Sequence, residues 1–429
     1  MAQNSATAAV DPNTIAPDTG KPMSKSTFYR FCIGFIIFGV MWMMSGTIGS
    51  AVLLPQRFND LFPGNSEAVL GSMQAAGSIF ALISNLVFGA LSDACHSRFG
   101  RRSPWIAIGG IFTGAAFWFT SVQTTVSGIV IGWSALQVGL NCMLAPAVAV
   151  LSDRVPLNRR GTISAFYGAG ATCGQSLGTI IGSAFITNPI PGFLFGTVSW
   201  LFTGIIVLLI WPREKSAKDE TSGEAFSIVR LLKSFVPPTK NCRDFYVALV
   251  GRLLFIFGYF VITGYQLYIL QRYIGLDDVN AAAVLSTMSV IIMVVSLVTS
   301  LISGVISDKI GRRKPLIAVS SLIICIAFAA PWLMRTAESM YIFAALSGFG
   351  YGIYSAVDQA LNVDVLPSKE EAGKDMGIQN LANTLGQAIA PAVTSAIVAS
   401  TGSYFLTFPV AIALILGGVI FIMMVKKVK

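Results

Sequence analysis

Charge is what this chain has least of. Charged residues fill 11% of its 429 positions, against roughly 25% in an ordinary soluble domain. Hydrophobic residues fill 54%, and the mean hydropathy is +0.71. That balance excludes a typical soluble enzyme. Histidine is nearly absent: His96 is the single one, and it falls in a loop, so a histidine relay within the protein has no material. The six cysteines are scattered without CxxC spacing, which supports neither a disulfide framework nor a metal site. No GxxxxGK[ST] loop occurs, which argues against nucleotide-driven chemistry. The net charge of +9 would suit a nucleic-acid partner only if aromatics interleaved with a basic stripe, and they do not. Nothing calls for a cofactor or a metal.

What fills the chain instead is long apolar runs. Twelve are expected, over residues 28–54, 68–92, 104–122, 126–151, 162–187 and 192–211, then 245–270, 281–306, 315–334, 341–365, 376–400 and 404–425. Each approaches or exceeds the roughly 20 residues that cross roughly 30 Å of hydrocarbon. Lipid offers the backbone no hydrogen bonds, so the spans must be helical. Between and beside them, 25 of the 29 Lys and Arg residues fall on one side; Arg57, Arg272 and Arg335 fall on the other, and Arg252 lies within a span. Such a bias places both termini in the cytoplasm. The expected fold is an all-α membrane protein of twelve transmembrane helices in two pseudo-symmetric six-helix bundles. Residues 1–26 are expected as a disordered cytoplasmic tail with no signal peptide. The first bundle is set at 27–211, a charged cytoplasmic linker that cannot be buried at 212–243, the second bundle at 244–425 and a short tail at 426–429. A multi-pass protein of the cell membrane, acting as a monomer, is the simplest reading.

The halves repeat. "GALSDACHSRFGRRSPWIAIGG" from Gly89 returns as "GVISDKIGRRKPLIAVSS" from Gly304, "DRVP" at Asp153 returns as "DVLP" at Asp364, and Gly174-Gln175 returns as Gly386-Gln387. Three matches in one order make a parallel duplication, an architecture common among transporters. The segments Gly89–Arg102 and Gly304–Arg313 resemble the loop 2-3 signature of the major facilitator superfamily. The four-residue insert in the first copy, with the run from Ser355 to Pro391, resembles a branch holding the plant sucrose/proton symporters and their relatives. The resemblance implies alternating access, a sugar or glycoside-like solute, uptake and coupling to protons. The plant members carry an acid and an arginine where this chain has Gln137 and Val148, so their sucrose-binding device is not reproduced. A proton-coupled exporter of amphipathic drugs or metabolites is the alternative.

Candidate functional residues follow from polarity in an apolar setting. Asp93, Arg101 and Arg102, with Asp308, Arg312 and Arg313, form the two signature loops, where arginines bridge acids and helix ends or reach the partner half to gate the cytoplasmic side. Asp358 is roughly 9 Å and Arg252 roughly 12 Å from the cytoplasmic helix ends at 1.5 Å per residue. Their similar depth suggests an ion pair, because intramembrane charges normally face a partner or water. A carboxylate held by arginine carries a proton only if the pair opens, so a structural or gating pair, a coupling carboxylate and a substrate ligand all stay open. Gln137, Asn141, Gln266, Asn383, Gln387 and Gln359 supply amides for solute hydroxyls. Trp42, Tyr265 and Tyr354 supply aromatic faces for a sugar ring. Such amides also join helices. The Gly170, Gly174, Gly178 and Gly182 stripe is expected to pack the halves together. One acid and no histidine within the spans leave a membrane enzyme little to work with.

Overall fold

The computed structural model describes residues 12–218, 238–239, 242–310, 312–367 and 372–426. Among the described residues twelve long helices make the body: α1 Lys25–Thr47, α2 Ser66–Asp93, α3 Ser103–Val122, α4 Val126–Arg154, α5 Leu157–Ala184, α6 Pro189–Ile210, α7 Arg243–Thr263, α8 Asp278–Ile310, α9 Lys314–Met334, α10 Ala337–Asp364, α11 Ala372–Thr401 and α12 Thr407–Met423. Among the described residues ten helices are long and apolar enough to cross a membrane, and α12 is a shorter apolar helix. Helix α5 falls outside both groups because glycine and polar residues dilute it.

The packing shows the duplication. In the first half α1 lies on α5 and α6, α4 on α2 and α3, and α3 on α6. The second half repeats each pair with the index raised by six: α7 on α11 and α12, α10 on α8 and α9, α9 on α12. The two halves meet through α2 against α11 and, reciprocally, α5 against α8. This twofold pattern is two six-helix bundles facing one another. Both lead helices also end alike, because α1 runs on through a π-helical turn at Ile48–Leu53 to Leu61, and α7 breaks at Gly264 before a π-helical turn at Ile269–Ile274. π-Helical turns often sit at functional sites.

Three expectations are corrected. Residues 12–24 do not form a disordered tail: Pro12–Thr14 makes a tight turn, and Ile15–Ala16 pairs antiparallel with Lys21–Pro22. Asp18 in this hairpin reaches Arg154 at 3.1 Å. Residues 1–11 lie outside the described residues. The linker is not wholly solvated, since Ala217 is buried; just ahead of it, Trp211 at the end of the first bundle packs 4.5 Å from the Phe35 ring. Residues 219–237 and 240–241, within the expected linker, are not described. The glycine stripe joins helices of one half and not the two halves. A Cβ at Gly170 would lie 2.3 Å from Ile36 O, one at Gly174 2.3 Å from Val40 O, and one at Gly178 2.5 Å from Met44 O. Small residues allow this backbone approach, the main way helices gain packing energy where lipid removes the hydrophobic drive between them.

Gly174→Leu should therefore force α1 and α5 apart. Overpacking typically costs roughly 1–3 kcal/mol, so the heat-unfolding midpoint in detergent should fall by several degrees while Gly161→Leu, which meets open space, leaves it unchanged. Equal midpoints for the two variants would contradict the packing described.

Candidate functional site

On α2 the residues Glu67, Gly71, Gln74, Ser78 and Asn85 recur at intervals of four, three, four and seven, so they share one helical face. At one end this face is packed on α11: a Cβ at Gly71 would lie 2.9 Å from Ser395 Oγ and 3.1 Å from Pro391 O. Toward the termini the same face opens, and Asn85 is exposed. On α11 the matching face runs from Ser395 and Pro391 down to Gln387 and Asn380, both exposed. The two helices thus touch far from the termini and diverge toward them. Exposed amides along a membrane span need water or a partner, because hydrocarbon offers neither.

The contacting end is held by polar side chains from both halves. Arg272, on the π-helical extension of α7, pairs with Glu67, itself 5% exposed. The same guanidinium donates to Asn59 Oδ1 and Ser66 Oγ, each at 2.6 Å. Tyr404 Oη donates to Glu67 Oε1 at 3.1 Å, and Tyr268 Oη to Pro55 O at 2.8 Å. Gln56 donates to Asp278 at 2.9 Å and accepts from Gln271 at 2.7 Å. Nearer the middle, Ser176 Oγ on α5 donates to Ser289 O on α8 at 2.8 Å.

Within the second half the structure brings Arg252 and Asp358 together. Arg252 Nε lies 3.2 Å from Asp358 Oδ2, and the two side chains are 2% and 4% exposed. Asn362 Nδ2 donates to the same oxygen at 3.1 Å. Aromatic rings cover the pair: Tyr354 stacks on Phe255 with centroids 3.4 Å apart, and Tyr351 on Tyr259 at 4.6 Å. Two opposite charges so placed leave the middle of this half without net charge.

The other expected ligands divide. Gln137, Gln266, Asn383 and Trp42 are half-buried, while Gln387 and Gln359 are exposed. Three are committed elsewhere. Asn141 is buried with both ends of its amide used, donating to Gln137 O at 2.9 Å and accepting from Asn85 Nδ2 at 3.0 Å, so it joins α4 to α2. Tyr265 is 1% exposed and its hydroxyl is bonded to Pro391 O at 2.9 Å and Glu67 O at 3.2 Å, which puts it in the contacting end. Tyr354 is buried in its stack.

At the termini end the signature loops pair within their own halves. Arg102 is the centre of the first, bonded to Asp93, Ser92 and, at 2.8 Å, Asp153. Arg101 contributes its backbone N–H to Glu214 at 3.0 Å. In the second, Arg313 pairs with Asp364 and Arg312 is exposed. The side chain of Asp308 lies outside the described residues. Arg102 and Arg313 each pair with an acid of their own half.

The family model of the Major Facilitator Superfamily matches residues 31–334 and 276–428. The chain belongs to this superfamily of membrane transporters. It is 25% identical over 347 residues to the MFS transporter asaE of Aspergillus flavus, covering 79% of this chain and 74% of that protein. It is 28% identical over 185 residues to the MFS transporter L2 of a Phoma species, a match spanning 42% of this chain and 29% of that longer protein. Among solved structures, a bacterial homologue of the human lysosomal transporter Spinster superposes with a TM-score of 0.67 in both unoccupied and occupied inward-facing forms. Identity is 14% and 13%, with 94% of this chain and 96% of that one covered. That likeness concerns the fold.

In this superfamily member the sequence reading missed Glu67, Asn85 and Glu214. An acid in the first turn of a helix reads as a dipole complement, and Glu67 occupies that position. The signal that could have found it is the α2 face it shares with Gly71, Gln74 and Ser78.

Removing one member of a buried pair leaves an uncompensated charge and typically costs roughly 3–5 kcal/mol, whereas replacing both with apolar residues is often neutral. Asp358→Leu alone should thus lower the unfolding midpoint sharply, and Arg252→Met in addition should restore most of it. Additive losses in the double variant would mean the two charges do not compensate each other.

Proposed function

We propose that this transporter moves a small uncharged, glycoside-like solute by alternating access, with uptake across the cell membrane and both termini in the cytoplasm. The observation that carries the reading is the pairing of a polar lock at one end of the α2–α11 contact with exposed amides at the other. A sealed bundle would not leave Asn380 and Gln387 exposed along their span. Gln137, Gln266, Asn383 and Gln387 offer donors and acceptors to hydroxyl groups, and the Trp42 ring offers a face to a pyranose. The internal neutralisation of Arg252 by Asp358 disfavours a charged solute, because an ion entering would have to be desolvated without a counter-charge.

The pair acts in this reading as a gating element. A proton reaches Asp358 only in a conformation that separates it from Arg252, so proton-coupled uptake requires that separation. The half-buried Trp42 and Tyr351 rings favour one second reading, export of flat amphipathic metabolites that stack on an aromatic face.

Purified protein in proteoliposomes should be offered labelled neutral methyl and aryl glycosides, an organic carboxylate, a quaternary ammonium and a flat neutral aromatic, with and without an imposed pH gradient. Uptake of neutral glycosides at least tenfold above that of both ions, faster with acid outside, is expected. Movement of the flat aromatic alone would replace the proposal with the export reading, and preferential movement of either ion would refute both.

A further inference from the structure

The signature loop of the first half is held by a residue that does not belong to it. Glu214 follows the end of α6, and its carboxylate accepts from Arg101 N at 3.0 Å, Arg102 N at 3.1 Å, Ser103 N at 2.9 Å and Ser103 Oγ at 2.7 Å. These are amides at the start of α3, whose N-cap residue makes no side-chain capping bond. The first amides of a helix have no partner within it, and an anion there also complements the helix dipole. Gly100 makes room: its φ is +98°, and a Cβ on it would lie 2.2 Å from the Glu214 carboxyl carbon. Ala217 N adds a bond to Ser97 O at 3.0 Å.

The same short segment is held on its other side. Arg154 donates to Pro212 O at 2.9 Å and Arg213 O at 3.2 Å, and Lys215 Nζ donates to Asp18 O at 2.7 Å. The exit of α6, loop 2-3 and the N-terminal hairpin are thereby tied together. In the second half the contact between the residues after α12 and the start of α9 is made by a cation, Lys314 Nζ donating to Val425 O at 2.8 Å.

We propose that Glu214 is the positioning residue for Arg102. The backbone of Arg102 hangs on Glu214 while its guanidinium gathers Ser92, Asp93 and Asp153. Glu214 thus fixes the point from which that guanidinium reaches, and it couples loop 2-3 to the linker that leads to the other half. The inference is independent of which solute moves.

The test is amide hydrogen exchange on the full chain in lipid nanodiscs, for the wild type and for Glu214→Ala, Gly100→Ala, their combination and Glu214→Gln. Exchange at residues 101–103 should accelerate at least tenfold in Glu214→Ala and in Gly100→Ala, with α4 unchanged, and the double variant should be no more than about threefold faster than either. Glu214→Gln, which keeps an acceptor oxygen, should fall between and carries the test should the alanine variant not fold. A spin-label pair at Phe99→Cys and Leu157→Cys, both exposed, should give a broader distance distribution in every Glu214 variant, reporting release of the Arg102 cluster. Unchanged exchange at 101–103, multiplicative effects in the double variant, or an unchanged label distribution would each overturn the proposal.

Discussion

A buried carboxylate of one half, met by an arginine of the other, fixes how the two bundles sit. Glu67 belongs to α2 of the first half and Arg272 to the extension of α7 in the second. Glu67 is buried, and removing the arginine would leave its carboxylate desolvated without a counter-charge, which is unfavourable. Their contact therefore holds only while the halves are together at that end, with Tyr404, Ser66 and Asn59 completing the bonds. The same rigid α2 and α11 that meet here diverge toward the termini, so closure at one end and opening at the other are parts of one geometry.

Absence of water from the surrounding medium dictates where the remaining polarity goes. Lipid-facing positions are filled by large apolar side chains such as Ile79, Phe80 and Ile83, all exposed, while polar residues turn to the opposite face of α2. Where they are not needed to join helices, as Asn85 and Asn141 are joined, they are left facing the space between the halves. The arginine–aspartate pair in the second half obeys the same rule by self-neutralisation.

Much of this was legible in the sequence. Hydropathy marked all twelve helices to within a few residues at most ends, because a span of fixed thickness imposes a fixed length. The repeat of the signature loops foretold the twofold packing, and matched depth brought Arg252 and Asp358 together. What stayed hidden depended on angles and on distant partners. Tyr265 reads as a ring for a solute until the break at Gly264 turns it into the contacting end. Glu214 reads as one charge in a mixed linker, and only the positive φ of Gly100 shows the space made for it. The glycine stripe of α5 announces a close neighbour without saying which, and the neighbour is α1.

Reciprocity between the two ends is the account's central claim, and pulsed spin-label distances measure it directly. One label pair would span the halves beside Glu67 and another would span them near the signature loops, in nanodiscs, with and without Arg272→Ala. Loss of the arginine should lengthen the first distance in a fraction of molecules and shorten the second in the same fraction. Lengthening at the Glu67 end with no change at the termini end would show that the halves do not rock as rigid bodies, and would contradict alternating access as described.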